Sequence, residues 1–123
     1  MIKTTGLSHL HLMVRDLKKS VQFYQKVFGM KVKFHVGPKM FFLSTSGCKD
    51  LLTLHQEENK KSQAGKSGGI LHFGFDLKNA KDLDGAIETI KKAGGRLLER
   101  GKHGGHVPYA YLADPDGYVI ELG

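Results

Sequence analysis

What this chain lacks bounds it first. It has one cysteine, Cys48, so no internal disulfide can form, and a lone thiol in a polar stretch says little about redox compartment. No apolar run approaches the roughly 20 residues needed to cross a bilayer, and the N-terminus carries no secretory apolar region. A cytoplasmic protein that does not engage membranes is therefore expected. Acidic residues are outnumbered, 12 against 19 Lys and Arg, for a formal net charge of +7. The excess is scattered over Lys18, Lys19, Lys26, Lys31, Lys33, Lys60, Lys61, Lys91 and Lys92, with no arginine cluster and no base-stacking motif. Nucleic acid is not an expected partner, and attraction of a small anionic substrate is the milder consequence. At 123 residues the chain can bury one real core but not two independent ones.

What is present is one phrase written twice, with a histidine in each copy. LeuSerHisLeuHisLeuMetValArgAspLeu (7–17) leads into an amphipathic segment ending at Gly29. IleLeuHisPheGlyPheAspLeu (70–77) leads into another, ending at Gly94 and Gly95. His9 and His72 occupy the same place in the two phrases. Two copies of one folding unit related by a pseudo-twofold would bring these histidines together, and Glu121 near the end of the second copy would complete a small metal site.

Alternation places the histidines away from the core. His9, His11 and Met13 share one strand face, and Leu10, Leu12 and Val14 the other. In the second copy His72, Gly74 and Asp76 lie opposite Leu71, Phe73, Phe75 and Leu77. A helix follows each strand. Val21, Tyr24, Val27 and Phe28 form the first stripe, with Asp16 as N-cap and Gly29 as stop; Leu83, Ala86, Ile87, Ile90 and Ala93 form the second, with Asn79 as cap. Three strands then complete each copy, over 31–36, 40–45 and 50–56, and over 96–100, 107–113 and 118–122. The expectation is α+β: one domain over 1–123, made of a βαβββ module at 1–56, a polar, glycine-rich linker at 57–69 and a second module at 70–123. The two modules are expected to form a curved eight-stranded mixed sheet with helices on the convex side.

With these residues in place, the chain resembles the vicinal oxygen chelate superfamily, which holds glyoxalase I, the bleomycin and fosfomycin resistance proteins, methylmalonyl-CoA epimerase and the extradiol dioxygenases. The motifs that carry the resemblance are SerHisLeuHisLeuMetValArgAspLeu with SerValGlnPheTyrGlnLysValPheGly, then LeuHisPheGlyPhe, then AspProAspGlyTyrValIleGlu. It implies a divalent metal held by His9, His72 and Glu121. Two imidazoles and a carboxylate with open positions suit Fe(II) first, and also Mn(II) or Zn(II).

Thr53 aligns opposite Glu121, where glyoxalase I carries a second carboxylate. Threonine is a poor ligand and no general base near neutral pH, so that isomerisation is disfavoured. His55, two residues on, is open to three roles: a fourth ligand, a base, or a rim residue. Tyr111 stands ten residues before Glu121, as a tyrosine does in extradiol dioxygenases. The best specific expectation is therefore ring-cleaving dioxygenase chemistry on a catechol-like substrate. Tyr111 would stabilise developing charge, and His103, His106 or His11 would move protons. Asp50 stands where those enzymes place an acid/base histidine. His11, Thr53, His55 and Tyr109 are the expected substrate contacts. Two alternatives stay open: a fosfomycin-resistance-type thiol transferase, and a metal-free, bleomycin-resistance-like binding protein. A homodimer is expected, because open sheet edges and apolar surface would be covered by a second copy.

Overall fold

Asp16 starts the first helix by accepting the backbone N–H of Lys19 at 3.0 Å. Gly29, left-handed at φ 64°, stops it, so α1 runs Leu17–Phe28. Its buried face is Leu17, Ser20, Val21, Phe23 and Tyr24. The second helix begins differently from expectation. Asn79 caps a short 3-10 turn, Ala80–Asp82, which runs on into α2 at Leu83–Lys92. Leu83, Ile87 and Ile90 are the buried positions of α2, one turn apart.

The structure, a computed structural model, describes residues 1–3, 5–66 and 68–123. The side chains of Lys60, Lys61 and Ser62 also lie outside the described residues, as does Ser67 of the expected linker. Two compact units are present, Met1–Ala64 and Gly65–Gly123. The first contains β1 (Leu10–Met13), α1, β2 (Lys31–Val36), β3 (Met40–Ser44) and β4 (Leu52–His55). The second contains β5 (Phe73–Phe75), α2, β6 (Arg96–His103), β7 (Val107–Ala113) and β8 (Val119–Leu122). Each is βαβββ, and the class is α+β. The strands hydrogen-bond as two four-stranded mixed sheets, ordered β1-β4-β3-β2 and β5-β8-β7-β6, where one eight-stranded sheet was expected. In each unit the first strand pairs parallel with the last, and the other pairs are antiparallel.

Half of the polar stretch between the copies folds with the first unit. Glu58–Gln63 forms a 3-10 helix, Ala64 is buried, and its carbonyl accepts Arg15 Nη2 at 2.6 Å. No helix among the described residues is long and apolar enough to cross a membrane.

Leu12, Leu43, Leu52 and Leu54 fill the core of the first unit with α1, and Leu112, Ile120 and Leu122 that of the second with α2. The turn from β7 to β8 is built on one carboxylate. Asp114, 3 % exposed, accepts the backbone N–H groups of Asp116, Gly117 and Tyr118 through Oδ1 at 2.9, 3.0 and 2.9 Å. Gly117 supplies the positive φ of 99° that the chain reversal needs. In the first unit the Thr53 hydroxyl is fully buried with no hydrogen-bond partner among the described residues.

Both features predict stability changes measurable by urea denaturation. Asp114→Ala strands the Asp116 and Tyr118 backbone donors, while Gly117 N–H keeps the Asp114 carbonyl, and is expected to cost about 2 kcal/mol. Thr53→Val removes an unpaired buried hydroxyl at nearly constant shape, and a gain of about 1 kcal/mol is expected. A clear loss of stability in Thr53→Val would mean that the hydroxyl is satisfied in solution.

Candidate functional site

The ladders define one row of side chains across each sheet. In the second unit Gly74 on β5 pairs with Glu121 on β8, Glu121 with Tyr111 on β7, and Tyr111 with Glu99 on β6. Directly paired residues point to the same face. In the first unit the matching row is His11, Thr53, Phe42 and Phe34. Both second strands carry a register shift just before this row, between Val32 and Phe34 and between Leu97 and Glu99. Thr53 and Glu121 therefore hold corresponding positions, and the second unit carries the carboxylates.

Glu121 is the centre of that face. His72 Nε2 lies 2.9 Å from its Oε2, and His103 Nε2 lies 2.8 Å from its Oε1. The His103 contact is a hydrogen bond from Nε2–H to Oε1, whereas the His72 contact is one of proximity without a hydrogen bond. Tyr111 lies against His72 with ring centroids 4.9 Å apart, and Tyr109 lies 5.2 Å from Tyr111. Tyr109 also stacks on His103 at 4.0 Å and 14°, while its hydroxyl donates to Glu99 Oε2 at 2.9 Å. Burial, then the negative charges of Glu121 and Glu99, hold the Tyr111 phenol above the ordinary tyrosine range. The hydrogen bond to Glu99 foremost, then burial, does the same for Tyr109. Both hydroxyls are neutral donors at pH 7.

The first unit holds a different array. His11 Nε2 and His55 Nδ1 are 3.1 Å apart, and His55 Nε2 is 3.3 Å from Glu57 Oε1. One of the two rings donates to the other across the His11–His55 contact, and Glu57 lies beside the far nitrogen of His55. Burial, then the neighbouring His55 and His9 rings, keep His11 below the usual imidazole range, and it is neutral at pH 7.

His9 and His72 each sit one residue before their strand and not within it. The rule of alternation nonetheless placed both off the core, and both are exposed. Ser8 Oγ engages His9 Nδ1 at 2.6 Å, which leaves Nε2 available. Asp50 is committed elsewhere: its two carboxylate oxygens accept the Thr45 amide at 2.7 Å and the Thr45 hydroxyl at 2.6 Å, closing the β3–β4 turn. His106 turns back on its own hairpin, with Nδ1 2.8 Å from the Gly104 carbonyl. Glu99, Gly101 and Glu57 were not singled out from sequence. Glu99 reaches Tyr111 only through the register shift in β6, which a strict period of two does not reveal.

Two donors bound at about 2.1 Å and at right angles on one ion stand about 3.0 Å apart. The 2.9 Å between His72 Nε2 and Glu121 Oε2 matches that spacing, so this pair fits neighbouring positions on a divalent cation. Among the described residues no group of three or more His, Cys, Asp and Glu is disposed to hold a metal ion. His9 lies in the first unit, and His72 and Glu121 in the second.

Comparison with known proteins bears on the family and the fold. The chain is 32% identical to a lactoylglutathione lyase of Neisseria meningitidis, over 94% of its own length and 88% of that protein's. It is 32% identical to a catechol-2,3-dioxygenase of Bacillus subtilis, over 96% of its own length but 41% of the relative's. It is 31% identical to the metallothiol transferase FosB of Bacillus licheniformis, over 98% and 75%. In fold it is similar to the fosfomycin resistance protein FosX of Listeria monocytogenes, solved as an E126Q mutant with Mn(II) and a dihydroxypropylphosphonic acid, with a TM-score of 0.76, 24% identity and 98% and 90% of the two chains covered. The sequence profile of one family matches residues 6–122, and the chain belongs to that family, the glyoxalase/bleomycin resistance protein/dioxygenase superfamily.

Proposed function

We propose that this protein is a metal-dependent enzyme in which His72 and Glu121 hold a divalent cation and Tyr111 donates a hydrogen bond to a substrate oxygen. The observation that carries this reading is the pairing of Tyr111 with Glu121 across the β7–β8 ladder, with the phenol ring against His72. His9, at the corresponding place in the first unit, is the remaining donor in the family pattern. A divalent cation bound by this set, Fe(II) first and Mn(II) or Zn(II) also suited, supplies Lewis-acid activation of two adjacent oxygens on a small molecule.

The chain's own residues then divide the work. The Tyr111 hydroxyl stays protonated through neutral pH and so can meet negative charge as it develops. His11, neutral at pH 7 and in contact with His55, is the group proposed to take a proton. Thr53 replaces the second carboxylate, which removes a base for proton abstraction beside a carbonyl. Asp50 is a turn residue in this reading and takes no proton. A catechol-like substrate, whose phenolate oxygens suit the Tyr111 donor, is the best fit, and ring cleavage the best activity. A second reading, thiol transfer to an anionic epoxide, is supported by the metallothiol transferase relative, of which this chain covers a far larger share than of the dioxygenase. The net positive charge also favours an anionic substrate.

Anaerobically Fe(II)-loaded protein is expected to consume O2 with catechols, and Tyr111→Phe to lower kcat by about a hundredfold with metal content unchanged. Turnover only of a thiol with an epoxide phosphonate by the Mn(II)-loaded protein would select the second reading. Retention of no metal at all would remove both and leave a binding protein. A homodimer is also proposed, because Leu7, Ile70 and Leu71 are exposed apolar residues that a second copy would cover. A monomer mass in sedimentation at micromolar concentration would refute it.

A further inference from the structure

Four side chains on the second sheet are linked in a line that ends on Glu121. Glu99 Oε2 accepts the Tyr109 hydroxyl, Tyr109 stacks flat on His103, and His103 Nε2–H reaches Glu121 Oε1. Space for this line is left by a glycine. Gly101 pairs with Tyr109 across the β6–β7 ladder, and a Cβ at 101 would stand 2.9 Å from the Tyr109 hydroxyl oxygen and 3.1 Å from its ring. The ring lies where any other residue at 101 would project. His103 is the last residue of β6 and half exposed, so packing alone does not hold its ring; the Tyr109 face and the Glu121 carboxylate do.

From this we propose that His103 is a positioning residue for Glu121: it occupies Oε1, so that Oε2 alone, the oxygen beside His72, is offered to a cation. This rests on the metal reading above. An unrestrained carboxylate can bind a cation through both oxygens and fill two of its positions. Holding one oxygen in a hydrogen bond limits Glu121 to a single position, which leaves room for a substrate that brings two oxygens of its own. Tyr109 and Gly101 keep His103 in place, with Glu99 fixing the Tyr109 hydroxyl. Partners of this kind, one step removed from the ion, commonly change metal affinity by about ten- to a hundredfold when lost.

The experiment is Mn(II) and Zn(II) affinity of the metal-stripped full chain, by calorimetry and by competition with a chromophoric chelator, with melting temperature as the fold control. Glu121→Ala should abolish binding. His103→Ala should weaken it about ten- to a hundredfold, and His103→Gln, whose amide can still donate to Oε1, should recover most of the loss. Gly101→Ala touches neither His103 nor Glu121 directly, yet should weaken binding by displacing the Tyr109 ring. Wild-type binding with His103→Ala unchanged overturns the proposal and leaves the metal reading standing. His103→Gln no better than His103→Ala overturns it too, because the donated hydrogen bond would then not be what matters. A wild-type protein that binds neither ion overturns the metal reading and the proposal together.

Discussion

The Asp114 carboxylate is the interaction on which the candidate site depends. By accepting three successive backbone donors it fixes the length and shape of the turn between β7 and β8. Turn geometry sets strand register, and a slip of one residue would turn every side chain on the strand to the opposite face. With the register as it stands, Tyr111 meets Glu121, while Leu112 and Ile120, the next pair along, go to the core. One buried carboxylate thus divides catalytic-type groups from packing groups along two strands. The AspProAspGlyTyr stretch is therefore an architectural motif, although it lies close to the chemistry.

The two units show how one scaffold can carry two chemistries. Their topologies, parallel first-to-last pairing and register shifts agree, so the rows Phe34–Phe42–Thr53–His11 and Glu99–Tyr111–Glu121–Gly74 correspond position by position. The first row is half apolar, with Phe34 and Phe42 stacked at 4.3 Å, and its polar groups gather at the β1–β4 end. In the second row the polar groups extend across the sheet, and glycine at 74 leaves a close approach to the Glu121 backbone, 3.0 Å from where a Cβ would sit. Side-chain identity, not backbone course, separates the two faces.

Helices and strands were legible because local chemistry writes them. Asp16 and Gly29 bound α1 as capping physics requires, and the stripe of Leu83, Ile87 and Ile90 marks α2. The matched positions of His9 and His72 were legible too, since both precede strands of the same pattern. Phe23, fully buried, was not on the apolar stripe read from spacing, because a helix packed on a broad sheet buries more than one line of residues. Asp50 resembled an acid/base group by position alone. Its two hydrogen bonds to Thr45 arise from a turn whose closure depends on both flanking strands.

By itself the sequence determined what depends on neighbours within a few residues: caps, stops, alternation, the twofold βαβββ repeat and the identity of the donor residues. Only tertiary structure decided which of those donors act together. His103, expected to move protons, is the end of a strand bonded to Glu121, and His11 is one member of an array running through His55 to Glu57. These partnerships join residues far apart in the chain across ladders whose register depends on turns and bulges. Hydrogen bonds act over about 3 Å, so a shift of one position in any ladder would dissolve them, and no local pattern encodes that register.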